Sequence, residues 1–245
     1  ITNSGQHSMM DFKAGEIFAI DKPYRMSSFG ALAHVRYLLS HRLGYKVKIG
    51  HAGTLDPLAT GVLILCTGKA TKQIEKLQAH TKEYIAVLQL GATTVSYDME
   101  HPVSETYPTE GITREVIAKT LLQFIGDIEQ VPPTYSAVKV KGDRAYQLRR
   151  DGQDVKLEPK QVRIDAIELL DFDAEQMKLR LRVVCGKGTY IRALARDLGR
   201  ALQSGAYLTE LCRTRVGDYG LDNCVPFDNF EQWMDEQQLT KEKTI

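Results

Sequence analysis

The stretch KIGHAGTLDPLATGVLILCTG, residues 48–68, constrains this chain more than any other. It ends in an apolar run, residues 62–66, suited to a buried strand. Ahead of that run Gly50, Gly53, Pro57 and Gly61 surround one carboxylate, Asp56. A lone aspartate in such a setting often does no more than close a turn or cap a helix. Here glycines on both sides permit another group to approach the backbone closely. An adjoining core strand would hold the acid rigidly at the floor of a cleft. Nucleophile, general base and metal ligand are the roles open to it.

The spacing does not support a metal. His51 lies five residues before Asp56, but no H-x-x-x-H, C-x-x-C or acidic triplet accompanies it. Nor is the glycine pattern a phosphate loop, because Gly61 precedes Gly68-Lys69 by seven residues rather than five, with strand residues between. GKGTYIR, residues 186–192, has only two of the three glycines of a dinucleotide fingerprint. The four cysteines, Cys66, Cys185, Cys212 and Cys224, are irregularly spaced, and three fall in strand-like runs. Buried thiols in a reducing cytoplasm are expected rather than disulfides or zinc ligands. No segment has the roughly 18 apolar residues of a membrane span, and the polar start ITNSGQHSMM lacks a signal-peptide pattern. Residues 1–10 read as an added remnant or a disordered tail. Residues 11–240 read as one domain, since no Pro/Ser/Gly linker interrupts them.

Hydrophobic content of 43% over 245 residues is enough for a sizeable core. EIFAIDKP, residues 16–23, reads as a strand stopped by proline. Ser27 or Ser28 can cap a helix reaching about His41, with Leu32, Val35, Leu38 and Leu39 on one face. A helix is expected over 69–79, a strand over 82–91, and a helix over 112–126 closed by Gly126. Residues 135–142 read as a strand, 145–152 as a short helix, and 162–186 as an antiparallel hairpin. In its second arm Leu179, Leu181 and Val183 alternate with Lys178, Arg180 and Arg182. A helix over 188–205, a strand over 207–220 and a helix over 227–237 follow. Strands dominate without alternating strictly with helices. The expected class is α+β, a mixed and largely antiparallel central β-sheet flanked by helices.

The net charge of +1 conceals an uneven distribution. Residues 178–215 carry nine Lys or Arg against two acids, whereas residues 217–239 carry six acids and no Lys or Arg. Arg192, Arg196 and Arg200 recur every four residues on one helix face, opposite Ile191, Leu194, Ala195, Leu198 and Leu202. One reading is a solvated face with Asp197 paired to Arg200. The other is a row of phosphate contacts, with Arg192 at the helix mouth placed to neutralise a carboxylate and keep it ionised.

GHAGTLDPLATGVLILCTGKATK resembles the catalytic motif of the TruB family of tRNA pseudouridine synthases. The resemblance continues through AIDKP, KEYIAVLQLG, VPPTYSAVKVKGDRAYQLRRDG, CGKGTYIRALARDLG and YLTELCRTRVGDY, in the family's order. It implies the pseudouridine synthase fold and an isomerase that converts a uridine in the TΨC loop of tRNA to pseudouridine, with no cofactor and no metal. It also implies roles for individual residues. Asp56 matches the catalytic aspartate. Tyr84 matches the tyrosine that stacks on the target base, and Arg192 the arginine that pairs with the catalytic carboxylate. Tyr190 and Leu211 match pocket residues, His51 the histidine that contacts the rearranged loop, and Lys22 a support of the pocket floor. Arg196 and Arg200 are assigned to phosphate.

The chemistry agrees with that assignment. Flipping a base out of a folded loop costs a few kcal/mol, and aromatic stacking returns roughly 1–3 kcal/mol. Many family members carry a C-terminal RNA-binding domain of PUA type, and the residues after Val225 are too few for one. Recognition by the catalytic domain alone is therefore expected, with tRNA (its T-arm stem-loop) as partner, no membrane, and a monomer. The alternatives are a non-catalytic tRNA-binding or tRNA-folding factor and a related synthase acting on another RNA. The folding factor would not need Asp56, Tyr84 and Arg192 together.

Overall fold

In the computed structural model of the chain, which describes residues 9–134, 139–140, 143–144 and 157–237, β1 (Ile17–Lys22) leads into α1 (Ser28–Leu43). There follow β2 (Ile49–Ala52), β3 (Ala59–Thr67), α2 (Ile74–Gln78), β4 (Lys82–Leu90), β5 (Ala92–Thr94), β6 (Val103–Thr106), α3 (Arg114–Leu121) and β7 (Gly126–Gln130). After the short β8 (Lys139–Val140) and β9 (Asp143–Arg144) come β10 (Lys160–Asp173), β11 (Lys178–Cys185) and α4 (Ile191–Ala201). The described part closes with β12 (Ala206–Val216), β13 (Tyr219–Gly220) and α5 (Phe230–Asp235). The chain divides into two units, residues 1–80 with 213–245, and residues 81–212. Each is mixed α and β with mostly antiparallel pairing, which is the expected class.

In the first unit the strand order is β1-β3-β12, with β2 added to β3 and β13 to β12. β3 shows why its sequence is apolar without interruption. Leu63 and Leu65 join Phe18, Ile20, α1's Leu32, Val35 and Leu39, and α5's Phe230 and Met234 in one buried cluster. Val62, Ile64 and Cys66 turn to the opposite face, against Ala19, Ala52, Leu77 and Val216. A strand covered on both faces has no polar side to show. α1 begins where the sequence places it: the Ser27 hydroxyl accepts the Gly30 amide at 2.9 Å. It ends on Gly44, whose φ of 78° is the left-handed conformation that glycine adopts without strain.

In the second unit the order is β12-β4-β11-β10-β7. β4 alternates buried and half-buried residues along its whole length, and β10 and β11 form the expected hairpin. Several expected helices are shorter in the structure. Residues 68–73 form a 3-10 turn and only 74–78 are α-helical, because Gly68 is pinned with φ +52° and its amide bonded to the Lys48 carbonyl. α3 starts one residue after Thr113, whose hydroxyl accepts the Val116 amide, but it does not run to Gly126. It tightens to a 3-10 turn over Leu122–Phe124, and Gly126 instead opens β7 opposite Ile164. Pairing with β10 outweighs the local preference for helix there. α5 covers only Phe230–Asp235 of the helix expected over 227–237. Of the strand expected over 135–142, Lys139 and Val140 are described and pair with Asp143 and Arg144. The helix expected over 145–152 lies outside the described residues, as do residues 1–8.

Candidate functional site

In the first unit Asp56 sits on the turn between β2 and β3, half-buried, and its carbonyl accepts the Ala59 amide at 2.9 Å. Every side of this turn is held. Ser28, in the first turn of α1, donates its hydroxyl to the Leu55 carbonyl and accepts the Leu55 amide, both at 2.8 Å. The Pro57 carbonyl accepts the Arg25 amide at 2.9 Å. The Lys22 side chain has no solvent exposure. Its ammonium donates to the carbonyls of Pro23, Met26 and Pro57 at 2.8, 2.6 and 3.3 Å. Burial lowers the Lys22 pKa to about 8, with the Asp56 charge opposing and the Arg213 charge adding to the shift. The ammonium therefore stays mostly protonated at neutral pH.

Arg213, only 2% exposed, comes from β12. It donates Nε to the Val62 carbonyl and Nη2 to the Gly53 carbonyl, both at 2.9 Å, so one guanidinium ties together both ends of the turn. Gly61 makes this possible: with φ +110° its Cα faces the Arg213 backbone, and a Cβ there would overlap the Arg213 carbonyl oxygen. His51, on β2, is partly buried. Burial and the Arg213 charge lower its pKa, and its buried Nδ1 has no hydrogen-bond partner among the described residues. Two cations behind a rigid turn give a preorganised positive field, which suits chemistry in which negative charge must be carried or met.

The second unit holds the other expected residues. Tyr84 lies on β4 opposite Val183 of β11, and its side chain is buried. Tyr190 caps α4, and its backbone is clamped by buried Gln130, which accepts the Tyr190 amide at 2.8 Å and donates to its carbonyl at 3.2 Å. Arg192, in the first turn of α4, is buried. It donates Nη1 to the Ser96 carbonyl at 3.2 Å and lies 4.0 Å from the Asp98 carboxylate. Asp98 is itself fixed by the Ser96 hydroxyl at 2.5 Å and the Glu100 amide at 3.0 Å. Leu211 is half-buried on β12.

The solvated arginine face is not found. Arg196 is buried, bonded to Asp197 at 2.9 Å and to the Val131 carbonyl at 2.7 Å, with its guanidinium over Tyr97. Asp197 thus pairs with Arg196, not with Arg200, and Arg200 alone of the three is exposed. Arg196 and Arg200 both line an open cleft of about 540 Å³ with Phe124, Pro132 and Pro159. Sequence reasoning missed Arg213, Asp98 and Gln130. Asp98 had a faint signal in Ser96-x-Asp98, a turn-forming pattern. Nothing in the sequence distinguishes Arg213, which turns inward, from Arg215, which does not. All four cysteines are free thiols. Among the described residues no His/Cys/Asp/Glu group could hold a metal ion, and no helix is long and apolar enough to cross a membrane.

This architecture recurs in known proteins. The chain aligns with the solved protein chain of a Cbf5–Nop10–Gar1 complex with a TM-score of 0.66 at 27% identity, covering 92% of this chain and 57% of that one. A chain from an H/ACA ribonucleoprotein bound to a substrate RNA containing 2'-deoxyuridine gives 0.63 at 25% identity, covering 92% and 56%. Residues 40–191 match the TruB family pseudouridylate synthase N-terminal domain, and residues 192–244 the tRNA pseudouridylate synthase B C-terminal domain. Fold and family models together place the chain in the class of pseudouridine synthases, which are isomerases. Within that class it belongs to the TruB family. The tRNA pseudouridine synthase B of Bacteroides thetaiotaomicron is 58% identical over 237 residues, covering 96% of this chain and 99% of that protein. That of Flavobacterium johnsoniae is 46% identical over 224 residues, covering 91% and 97%.

Proposed function

We propose that this enzyme isomerises a uridine of the tRNA T-loop to pseudouridine, and that Asp56 supplies the carboxylate acting at the glycosidic bond. The observation that carries the assignment is the Asp56 turn itself. It is braced by Ser28, Lys22, Arg25 and Arg213, a degree of fixation that a surface turn does not need. The N1–C1' bond breaks, the base turns, and a C5–C1' bond forms. C5 loses its hydrogen as a proton and N1 gains one, so no oxidant, reductant or leaving group enters the balance. Tyr84 is assigned to stacking on the extruded base, Arg192 to positive charge, and Tyr190 and Leu211 to the pocket. His51 contacts the rearranged loop, Lys22 holds the pocket floor, and the exposed Arg200 serves the phosphate backbone, while buried Arg196 is tied to Asp197 and the Val131 carbonyl. A monomer in the cytoplasm is the setting we assign.

The test is tritium release from tRNA transcripts carrying [5-³H]uridine, comparing the intact protein with Asp56→Asn. Release by the intact protein, none by the variant, and loss of signal when the T-loop uridine is replaced by cytidine are expected. Binding without release would point to a tRNA-folding factor. Release that survives in Asp56→Asn would remove that residue from the chemistry.

A further inference from the structure

From the exposed face of α1 and the turn before it, we infer a second RNA-contact surface leading away from the Asp56 turn, formed by Tyr24, Arg25, Phe29, Arg36 and Tyr37. Three large aromatic side chains lie in the open here: Tyr24 is 52% exposed, Phe29 62% and Tyr37 66%. Exposed apolar residues scattered singly are ordinary, but a group of aromatics rimmed by cations marks an interaction site. The cations are held against the rings. The Arg25 guanidinium lies 5.5 Å from the Tyr24 ring centroid, and that of Arg36 lies 5.8 Å from Phe29. Tyr37 stacks on His41 with centroids 5.8 Å apart. Rings paired with guanidinium groups offer flat platforms for bases beside charges for phosphate.

Charge identifies the occupant as a polyanion. Residues 23–55 contain five Lys or Arg and no acid. Among the described residues their one ion pair is that of Arg42 with Asp235, at 2.6 Å, and neither Arg25 nor Arg36 has an acidic partner there. Position identifies it as the RNA that reaches Asp56. The Arg25 amide bonds to the Pro57 carbonyl and Ser28 to Leu55, so the track begins at the turn. Tyr37 lies eight residues beyond Phe29, about 12 Å further along the helix axis at 1.5 Å per residue. RNA seated over Asp56 would continue along this face, with its phosphates on the arginines and an unpaired base on a ring. This inference rests on the tRNA reading above.

The experiment is equilibrium binding of full-length tRNA to the full chain and to Phe29→Ala/Tyr37→Ala and Arg36→Gln, with tritium release at saturating tRNA measured beside it. Circular dichroism should show all variants folded, since Phe29 and Tyr37 are exposed and Arg36 is only half-buried. The aromatic double variant should weaken binding by roughly 5- to 150-fold, the range for loss of one stacked base. Arg36→Gln should lower the slope of log K against log salt by about 0.7–0.9, while release at saturation stays near that of the intact protein. Unchanged binding in both variants overturns the surface and leaves the catalytic reading standing. Variants that bind tRNA normally but lose self-association in sedimentation would show a protein interface instead and also overturn it. If the intact protein binds no tRNA, the catalytic reading fails and this surface with it.

Discussion

Lys22 and Arg213 carry much of what distinguishes the Asp56 turn from an ordinary loop. Each is a buried cation whose donors satisfy backbone carbonyls, so removing either leaves acceptors stranded at roughly 1–3 kcal/mol apiece. Arg213→Met should lose about 2–4 kcal/mol, read as a lower urea midpoint with an unchanged slope. Lys22 adds a pH signature. Its pKa falls from 10.5 to about 8 on folding, so between those values the unfolded chain binds more protons and stability rises with pH. Relative to Lys22→Met, the intact protein should gain up to about 1.4 kcal/mol per pH unit between pH 8 and 10.5. A flat difference over that range would mean that the ammonium is not desolvated as described. His51 shifts in the same direction, its pKa lowered by burial and Arg213. Its neutral ring therefore adds stability at neutral pH that is lost as pH falls below about 6.5. A histidine-resolved NMR titration should place its midpoint under that value.

At the scale of elements, β3 and α1 do most of the positioning. Gly61 lies inside β3 with a left-handed φ and backs directly onto the Arg213 backbone. Gly61→Ala meets both a conformational penalty and a clash, so a loss of about 3 kcal/mol or more is expected, measured by thermal unfolding. Ser27→Ala removes only the hydroxyl that caps α1 and should cost about 1 kcal/mol. The contrast between the two tests whether close approach in β3, rather than helix propensity, sets the turn. Elements with a strong local period were legible in sequence: α1 with its cap, β4, and the β10–β11 hairpin. The helix expected to reach Gly126 was not, because ladder bonds to β10 claimed residues that local preference assigned to a helix end.

At the scale of the whole molecule, tRNA affinity should fall with salt, each neutralised phosphate adding about 0.7–0.9 to the slope. A salt-independent Kd would exclude recognition through the basic residues. Apolar periods, capping residues and the long ordered motifs are local features, and from them the sequence alone determined the α+β class, the strand at β3, the turn bearing Asp56 and the TruB resemblance. The charged groups were decided only by tertiary structure. Arg196 was expected on a solvated or phosphate-facing stripe, and Arg192 either there or beside a carboxylate; both are buried. Arg196 finds a carbonyl 65 positions away, and Arg213 one 160 positions away. A buried guanidinium must satisfy its donors wherever acceptors happen to lie, and that depends on which distant backbone the fold brings beside it. A period of 3.6 or 2 residues shows which face a side chain takes, but it does not show what waits on the other side.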